Sequence, residues 1–318
     1  MTFRDFLDKI YIHCVLSLHL ISLICVIREI LGSIFEINVM KIIRKIKEMQ
    51  SYSERLRLEG KKIGFVPTMG YLHRGHLSLV NAVRPLCNVV VMSIFVNPIQ
   101  FAPNEDFNNY PRDFKRDKKL AEQSGVDVIF NPSNDEIYKK NHLTTVKVKK
   151  ITEIMCGESR PTHFEGVTTV VTKLLNIVKP HIAVFGQKDA QQAVVIKKMI
   201  EDLNFDIKII ISPLIREKDG LAVSSRNSYL SSDERKDAVV LYKSLMFAKK
   251  EIKYGEKSAR NIVDKMIGLI SKKKSVKLEY IYIADPKTLE KVDSIDRKVL
   301  IAIAAYVGKT RLIDNIIV

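Results

Sequence analysis

Tryptophan is absent from this 318-residue chain, and cysteine is scarce: four residues, at positions 14, 25, 87 and 156. No two of them have the C-x-x-C spacing of a zinc or dithiol site, and they do not amount to a secreted disulfide framework. That usage fits a reducing compartment, and the expected location is cytoplasmic. Glycine (13) and proline (10) are too few for a collagen-like or low-complexity chain. Acidic residues are the minority charge, with 36 Asp and Glu against 52 Lys and Arg, a formal net charge of +16. Such an excess admits an anionic partner: nucleic acid, an acidic membrane or a phosphorylated substrate. The basic residues are spread, however. Their densest runs, at 147–150 and 272–274, are short and lack interleaved aromatics, so a solvated basic surface accounts for them and no nucleic-acid partner is expected.

What is present is a globular composition, 46% hydrophobic and 28% charged, in a chain long enough for about two domains. The first residues differ from the rest. Positions 10–27 carry no Asp, Glu, Lys or Arg, a length at the lower edge of a membrane span. His13, Ser17, His19 and Ser22 weaken that reading, and Asp5 and Asp8 beside Arg4 and Lys9 oppose a signal peptide. A membrane anchor, a degenerate targeting segment and an extension outside the working fold remain. Met40 opens a helical pattern in which Ile42, Ile43, Ile46 and Met49 recur at helical spacing, with Gly60 as its stop. Residues 1–39 are therefore read as an apolar extension outside the catalytic fold, a membrane partner being expected only if 10–27 is a real anchor.

From residue 61, short apolar runs alternate with helical patterns. Strands are expected at 62–66, 89–95, 126–130, 182–185 and 206–211, and helices at 77–86, 113–124, 168–178 and 190–203. The strands are continuous Val, Ile and Phe runs, as in a parallel sheet buried on both faces. The fold class is α/β, a doubly wound parallel sheet over 40–215. After about 216 the pattern changes to long helices, near 232–254 and 258–271, followed by strands at 276–284, 299–306 and 310–317, a smaller α+β domain over 216–318.

Five segments carry chemistry. In FVPTMGYLHRGHLSLV a buried strand ends at Pro67, a glycine-bearing loop follows, and a helix starts near His76. Backbone N–H groups at a helix N-terminus suit a phosphate, and His73 and His76, three apart, face one side. A metal pair would need further ligands that are not nearby. SIFVNPIQF places Asn97 and Gln100 at the carboxyl edge of the sheet, where amides suit a substrate bearing hydroxyls and a carboxylate; an Asn-Pro turn is the plainer alternative. GESRPTHFEGV supplies Arg160 and His163 beside a helix start. The guanidinium either binds an anion or closes the loop on Glu158 or Glu165. VFGQKDAQQ brings Lys188 and Gln192 to one face of a helical turn, with Asp189 as a cap or a nucleotide contact. IREKDGLAVSSRNSYL holds Ser224, Ser225 and Arg226, donors suited to a polyphosphate. His73, His76, Lys188 and Arg226 together form a charge complement for a reacting phosphate, and are the expected catalytic groups.

The strings PTMGYLHRGH, FVNPIQF, RPTHFEGV, FGQKDAQQ and DGLAVSSRNSYLS, in this order and spacing, resemble the pantoate–β-alanine ligase (pantothenate synthetase) family, over about Met40 to Val318. The resemblance implies a Rossmann-like domain of the HxGH nucleotidyltransferase class with a smaller C-terminal domain, in a homodimer. It implies condensation of pantoate with β-alanine through a pantoyl adenylate, with ATP as substrate, Mg2+ accompanying it, and AMP and pyrophosphate released. Matched residue by residue, Met69, Gly70, Tyr71, Leu72, His73, Arg74, Gly75 and His76 form the ATP loop, with His76 as proton donor. Gly186, Gln187, Lys188, Asp189, Ile215, Val223, Ser224, Ser225 and Arg226 are further ATP contacts. Gln100 and Gln192 match pantoate ligands, Gln100 also lying near β-alanine; Asn97 and Arg160 join them as substrate groups from the residue reading. Thr162 replaces a common glycine and Val223 a common methionine. Asp113, Asp117 and Asp189 are the candidate carboxylates for magnesium. The alternative is a nucleotidyltransferase of the same superfamily with another acceptor.

Overall fold

A computed structural model describes residues 40–103 and 105–318. The stretch at 10–27, the rest of the extension 1–39, and Cys14 and Cys25 lie outside the described residues. Among those described, no helix is long and apolar enough to cross a membrane.

Six parallel strands form one sheet: β1 (Lys41–Ile43), β2 (Ile63–Thr68), β3 (Val89–Ile94), β4 (Val128–Phe130), β5 (Ile182–Gly186) and β6 (Lys208–Ser212), in the order β1-β4-β3-β2-β5-β6. Winding reverses between β2 and β5, so the crevice beyond their carboxyl ends is where an open α/β sheet receives its ligand. Helices α1 (Ile46–Leu58), α2 (Arg74–Val83), α3 (Phe114–Gln123), α4 (His163–Val178) and α5 (Ala190–Asp202) join the strands. Phe65, Val91 and Phe130 of the sheet pack with Met49, Leu56, Leu174, Leu175 and Ile196. Val90, Met92 and Ile129, which alternate with them, are also fully buried. Burial on both faces explains why these strands read as unbroken apolar runs.

Two expectations need correction. The helix does not begin at Met40: residues 41–43 are strand β1, in parallel register with Val128–Phe130, and α1 starts at Ile46. Three residues are too few to show alternation, and Ile42, Ile43 and Ile46 satisfy helical spacing as well. The boundary is set from afar, because the Glu136 carboxylate accepts from the Ile46 N–H (3.0 Å) and caps α1, as an acidic group at a helix N-terminus does. The expected helix over 232–254 is two helices, α6 (Ser232–Ala238) and α7 (Val240–Lys253). They part at the β-branched pair Val239–Val240, a poor helix interior.

Beyond α8 (Ala259–Ile270), an antiparallel sheet runs β7 (Val276–Ala284), β8 (Leu300–Val307) and β9 (Thr310–Ile317). Leu241, Leu245, Ile262 and Met266 cover Ile301, Ile303 and Ala305 on one face. The opposite face, with Tyr280, Tyr282 and Ala302, packs on Met155, Ala190 and Val194. That contact brings β9 to the mouth of β5.

Candidate active site

The site is built on the turn after β2. Gly70 and Tyr71 are both left-handed (φ +83° and +48°). The Asp117 carboxylate of α3 accepts the Tyr71 and Leu72 N–H groups at 2.8 and 2.7 Å, fixing the bend. Helix α2 then starts at Arg74, two residues before the expected His76, because the histidines themselves cap it. His73 Nδ1 accepts from Gly75 N (3.1 Å), and His76 Nδ1 accepts from His73 N (3.3 Å). A Cβ on Gly75 would lie 2.9 Å from the His73 ring, so this glycine lets the ring fold back over the turn. The two imidazoles stack with centroids 3.9 Å apart, on one side as the spacing predicts.

Because each Nδ1 accepts, each neutral ring carries its proton on Nε2. Burial, then the positive charge of Lys188, lowers His73 to about 4. Burial, then His73 and Lys188, holds His76 well below its usual value. Both rings are neutral near pH 7 before ligand binds. The unfolded chain takes up these protons first as pH falls, so His73 costs stability progressively from about pH 6.5 down to about pH 4, a loss that persists below, and His76 adds to it in the same direction; neither costs any at neutral pH and above. Since kcat/KM reports the free enzyme, its value for ATP is expected to show no His76 inflection between about pH 6 and 8. An inflection there that disappears in His76→Ala would show that the ring is protonated in the free enzyme.

A cavity of about 270 Å³ opens beside these rings, at the carboxyl ends of β2 and β5. Of the expected residues it brings together Met69, His73, Gly75 and His76 from the first loop, and Asn97, Gln100 and Arg160 from the next two. Gly186, Lys188, Asp189 and Gln192 line it from the turn after β5, and Ile215, Val223, Ser224, Ser225 and Arg226 from beyond β6. Gly70, Tyr71, Leu72, Arg74 and Gln187 are not on its wall. Leu72 is fully buried, and Gln187 Nε2 turns toward Asn315 Oδ1 of β9 (3.3 Å).

Several polar groups are already engaged. Arg160 pairs with Glu105 through Nε (2.7 Å) and Nη2, meets His163 Nε2 through Nη1, and reaches the Gln100 carbonyl. It closes the loop on Glu105, not on the expected Glu158 or Glu165, and still lines the cavity. Arg226 forms a fork with Asp106 (2.9 and 2.8 Å) through Nε and Nη2. The acidic partner absent from its own motif comes from 120 residues away, and Nη1 is left for a ligand. Asn97 is 1% exposed, with its amide spent on Gln100 Oε1, the Gly166 carbonyl and the Tyr138 hydroxyl. These bonds hold Gln100 in place at the cavity wall. Asp189 occupies the position before α5 without a side-chain cap bond and lies 3.5 Å from Lys188 Nζ. Thr162 has φ −96°, a conformation open to any residue, so the missing glycine changes nothing there.

Sequence reasoning missed Glu105, Asp106 and Asn315. Asn315 Nδ2 donates to the Gln187 and Lys188 carbonyls (2.9 and 3.0 Å). Its neighbour Asp314, 2% exposed, grips Arg216 with both oxygens at 2.7 and 2.9 Å. A buried Asp-Asn pair inside an apolar strand was the available signal. Among the described residues no group of three His, Cys, Asp or Glu side chains is placed to hold a metal: Asp113 caps α3 through Arg116 N (3.0 Å), and Asp117 is committed to its loop.

A parallel sheet whose winding reverses above paired histidines, a lysine and a serine-arginine turn defines a nucleotide-using enzyme of the HxGH type. The family model described as pantoate-beta-alanine ligase matches residues 41–317, and the chain belongs to that family. It is 57% identical over 279 residues to a pantothenate synthetase of Caldicellulosiruptor bescii, covering 88% of this chain and 99% of the relative. A pantothenate synthetase of Thermotoga neapolitana is 56% identical over 278 residues, covering 87% and 99%. The crystal structure of pantothenate synthetase from Thermus thermophilus superposes with TM-score 0.83 at 39% identity, over 87% of this chain and 99% of that one. Pantoate-beta-alanine ligase from Francisella tularensis, solved in complex with beta-gamma ATP and beta-alanine, gives TM-score 0.71 at 38% identity, over 87% and 97%.

Proposed function

We propose that the chain condenses pantoate with β-alanine at the expense of ATP, releasing AMP and pyrophosphate. The observation that supports it most is one cavity shared by neutral His76, Lys188 and two glutamine amides, in a member of the ligase family. In the first step a pantoate carboxylate oxygen attacks the α-phosphorus. The bond to the bridging oxygen breaks, and pyrophosphate leaves with that electron pair. In the second step the β-alanine amine attacks the acyl carbon, the C–O bond to AMP breaks, and the amine loses a proton.

Negative charge builds on the α-phosphate and on the leaving oxygen, so positioning and preorganised donors carry the catalysis. His76 offers Nε2–H, with its ring held by His73 N. His73 offers the same group beside it. Lys188 supplies a compact cation, and Arg226, steadied by Asp106, directs Nη1. Bound phosphate draws both imidazoles toward the cationic form. The N–H groups of the loop and the first turn of α2 are spent on Asp117 and on the two histidines, contrary to the expected backbone cradle, so the side chains meet the phosphates; Ser225, bonded to the Tyr71 carbonyl (3.3 Å), ties the serine-arginine turn to that loop. Magnesium neutralises triphosphate charge. Of the three candidate carboxylates Asp189 alone faces the cavity, where it would lie beside magnesium bound to the triphosphate.

Gln100 and Gln192 take pantoate. Gln192 makes no side-chain bond to other described residues, and Gln192→Ala is expected to raise the pantoate KM about tenfold, the worth of one hydrogen bond, with ATP affinity unchanged. Loss of ATP affinity instead would move Gln192 to the nucleotide subsite. The working form is a cytoplasmic homodimer, as the family resemblance and the free thiols Cys87 and Cys156 suggest. Residues 40–215 form the nucleotide- and pantoate-binding domain, and 216–318 the smaller one. The test is pyrophosphate and AMP release by the full chain with MgATP, pantoate and β-alanine, added singly and together. Sustained AMP release that needs both acids is expected. Turnover with neither acid required would favour another acceptor.

A further inference from the structure

We infer that Tyr138, which stands outside the cavity, is a positioning residue: with the Gly166 carbonyl it holds the Asn97 amide in the orientation that fixes which end of the Gln100 carboxamide meets the substrate. The inference rests on the ligase reading above. Tyr138 follows the one-turn helix Asn134–Ile137 and packs behind β3, its ring 6.3 Å from Phe95 and under the Lys173 ammonium. Its hydroxyl donates to Asn97 Oδ1 at 2.8 Å.

The relay from there has one direction. The Gly166 carbonyl can only accept, so the Asn97 atom 2.9 Å from it is the amide nitrogen. The second hydrogen of that nitrogen goes to Gln100 Oε1 (3.1 Å). Gln100 Oε1 is thereby held, and Nε2 is the end left to the cavity, where its protein partner is the weakly accepting Met69 sulfur (3.0 Å). The main chain is fixed at the same point. His163 Nδ1 donates to the Gln100 carbonyl (2.9 Å), and Arg160 reaches the same oxygen. Gln100 cannot slide to compensate for a turned amide.

The cavity therefore meets a substrate hydroxyl or carboxylate with an N–H donor instead of a repelling carbonyl. Without the tyrosine hydroxyl, Asn97 Oδ1 has no donor in a buried setting. If Asn97 turns over to find one, its oxygen faces the Gly166 carbonyl and Gln100 Oε1, acceptor against acceptor. The Gln100 amide is then free to present oxygen to pantoate.

The test is a double-mutant cycle of Tyr138→Phe and Gln100→Ala in the full chain, read as pantoate-dependent pyrophosphate release and as KM for each substrate. Tyr138→Phe is expected to raise the pantoate KM about tenfold, with the ATP KM changed less than about twofold. In the Gln100→Ala background the same change should have under about a twofold effect, since its target is gone. An unchanged pantoate KM, or an equal effect in both backgrounds, overturns the inference. If Tyr138→Phe does not fold, Asn97→Asp breaks the relay at its middle and is expected to raise the pantoate KM selectively; an unchanged KM again overturns it. A second readout needs no turnover: the Gln100 side-chain amide resonance in 15N-labelled protein, assigned by its loss in Gln100→Ala. Tyr138→Phe should shift it, and an unmoved resonance refutes the relay. Wild-type protein without pantoate-dependent turnover would instead defeat the ligase reading, while the resonance would still decide the relay.

Discussion

His76→Ala is expected to slow pantoate-dependent pyrophosphate release by about 10²–10³-fold, the usual loss for one preorganised donor at a centre of developing charge. The ring does two things at once. Its Nδ1 caps His73 N, and its Nε2–H is the donor proposed for the nucleotide. Alanine removes both, so the comparison with His76→Gln is informative. A glutamine amide can donate a hydrogen bond but cannot become cationic, and it should recover only part of the rate. The reading is sharpened by measuring pantothenate formation from preformed pantoyl adenylate and β-alanine. That second half-reaction builds no charge on pyrophosphate and should suffer much less. A His76→Ala enzyme within about threefold of wild type in the first half-reaction would remove the ring from the mechanism.

Gly166→Ala should be nearly as damaging, although residue 166 carries no functional group. A Cβ there would stand 2.5 Å from both the Gln100 Cα and the Ile99 carbonyl oxygen. The obstacles are backbone, not the end of a flexible side chain, so α4 and the turn after β3 have to separate. Overpacking of this kind costs about 1–3 kcal/mol. Because the displaced residue is Gln100, a shift of about 1 Å is expected to lower kcat/KM for pantoate by about 10²-fold. Thermal denaturation and steady-state kinetics on the same preparation check both parts. Wild-type pantoate kinetics with a lowered melting temperature would mean that the strain relaxes away from the site.

The central strands were legible because burial on both faces left an unbroken hydrophobic signature in each. The HxGH turn was legible because His73, Gly75 and His76 act within four residues of one another. What was hidden acts at a distance. Strand β1 exists only as a partner of Val128–Phe130, and three residues hold no period. Arg226 looked like a free cation because Asp106 lies 120 residues earlier in sequence, in a segment with no recognisable motif. Arg160 was seen as either ligand-binding or loop-closing. The structure pairs it with Glu105, 55 residues away, and not with Glu158 or Glu165. The bonds of Asn97 to the Gly166 carbonyl and the Tyr138 hydroxyl were hidden for the same reason, since those partners lie 69 and 41 residues away.

The Asn315 contacts have a consequence for biosynthesis. The turn that presents Lys188 is fastened by a side chain 128 residues downstream of Gln187. A ribosome that has delivered all six parallel strands has still not delivered this fastening, nor the Asp314 carboxylate that secures Arg216. All six strands of the sheet are therefore delivered while the turn bearing Lys188, the proposed phosphate ligand, still lacks its Asn315 bonds, which form only when β9 docks. Messages cut short before β9 would yield protein with all six parallel strands and an unfinished cavity wall.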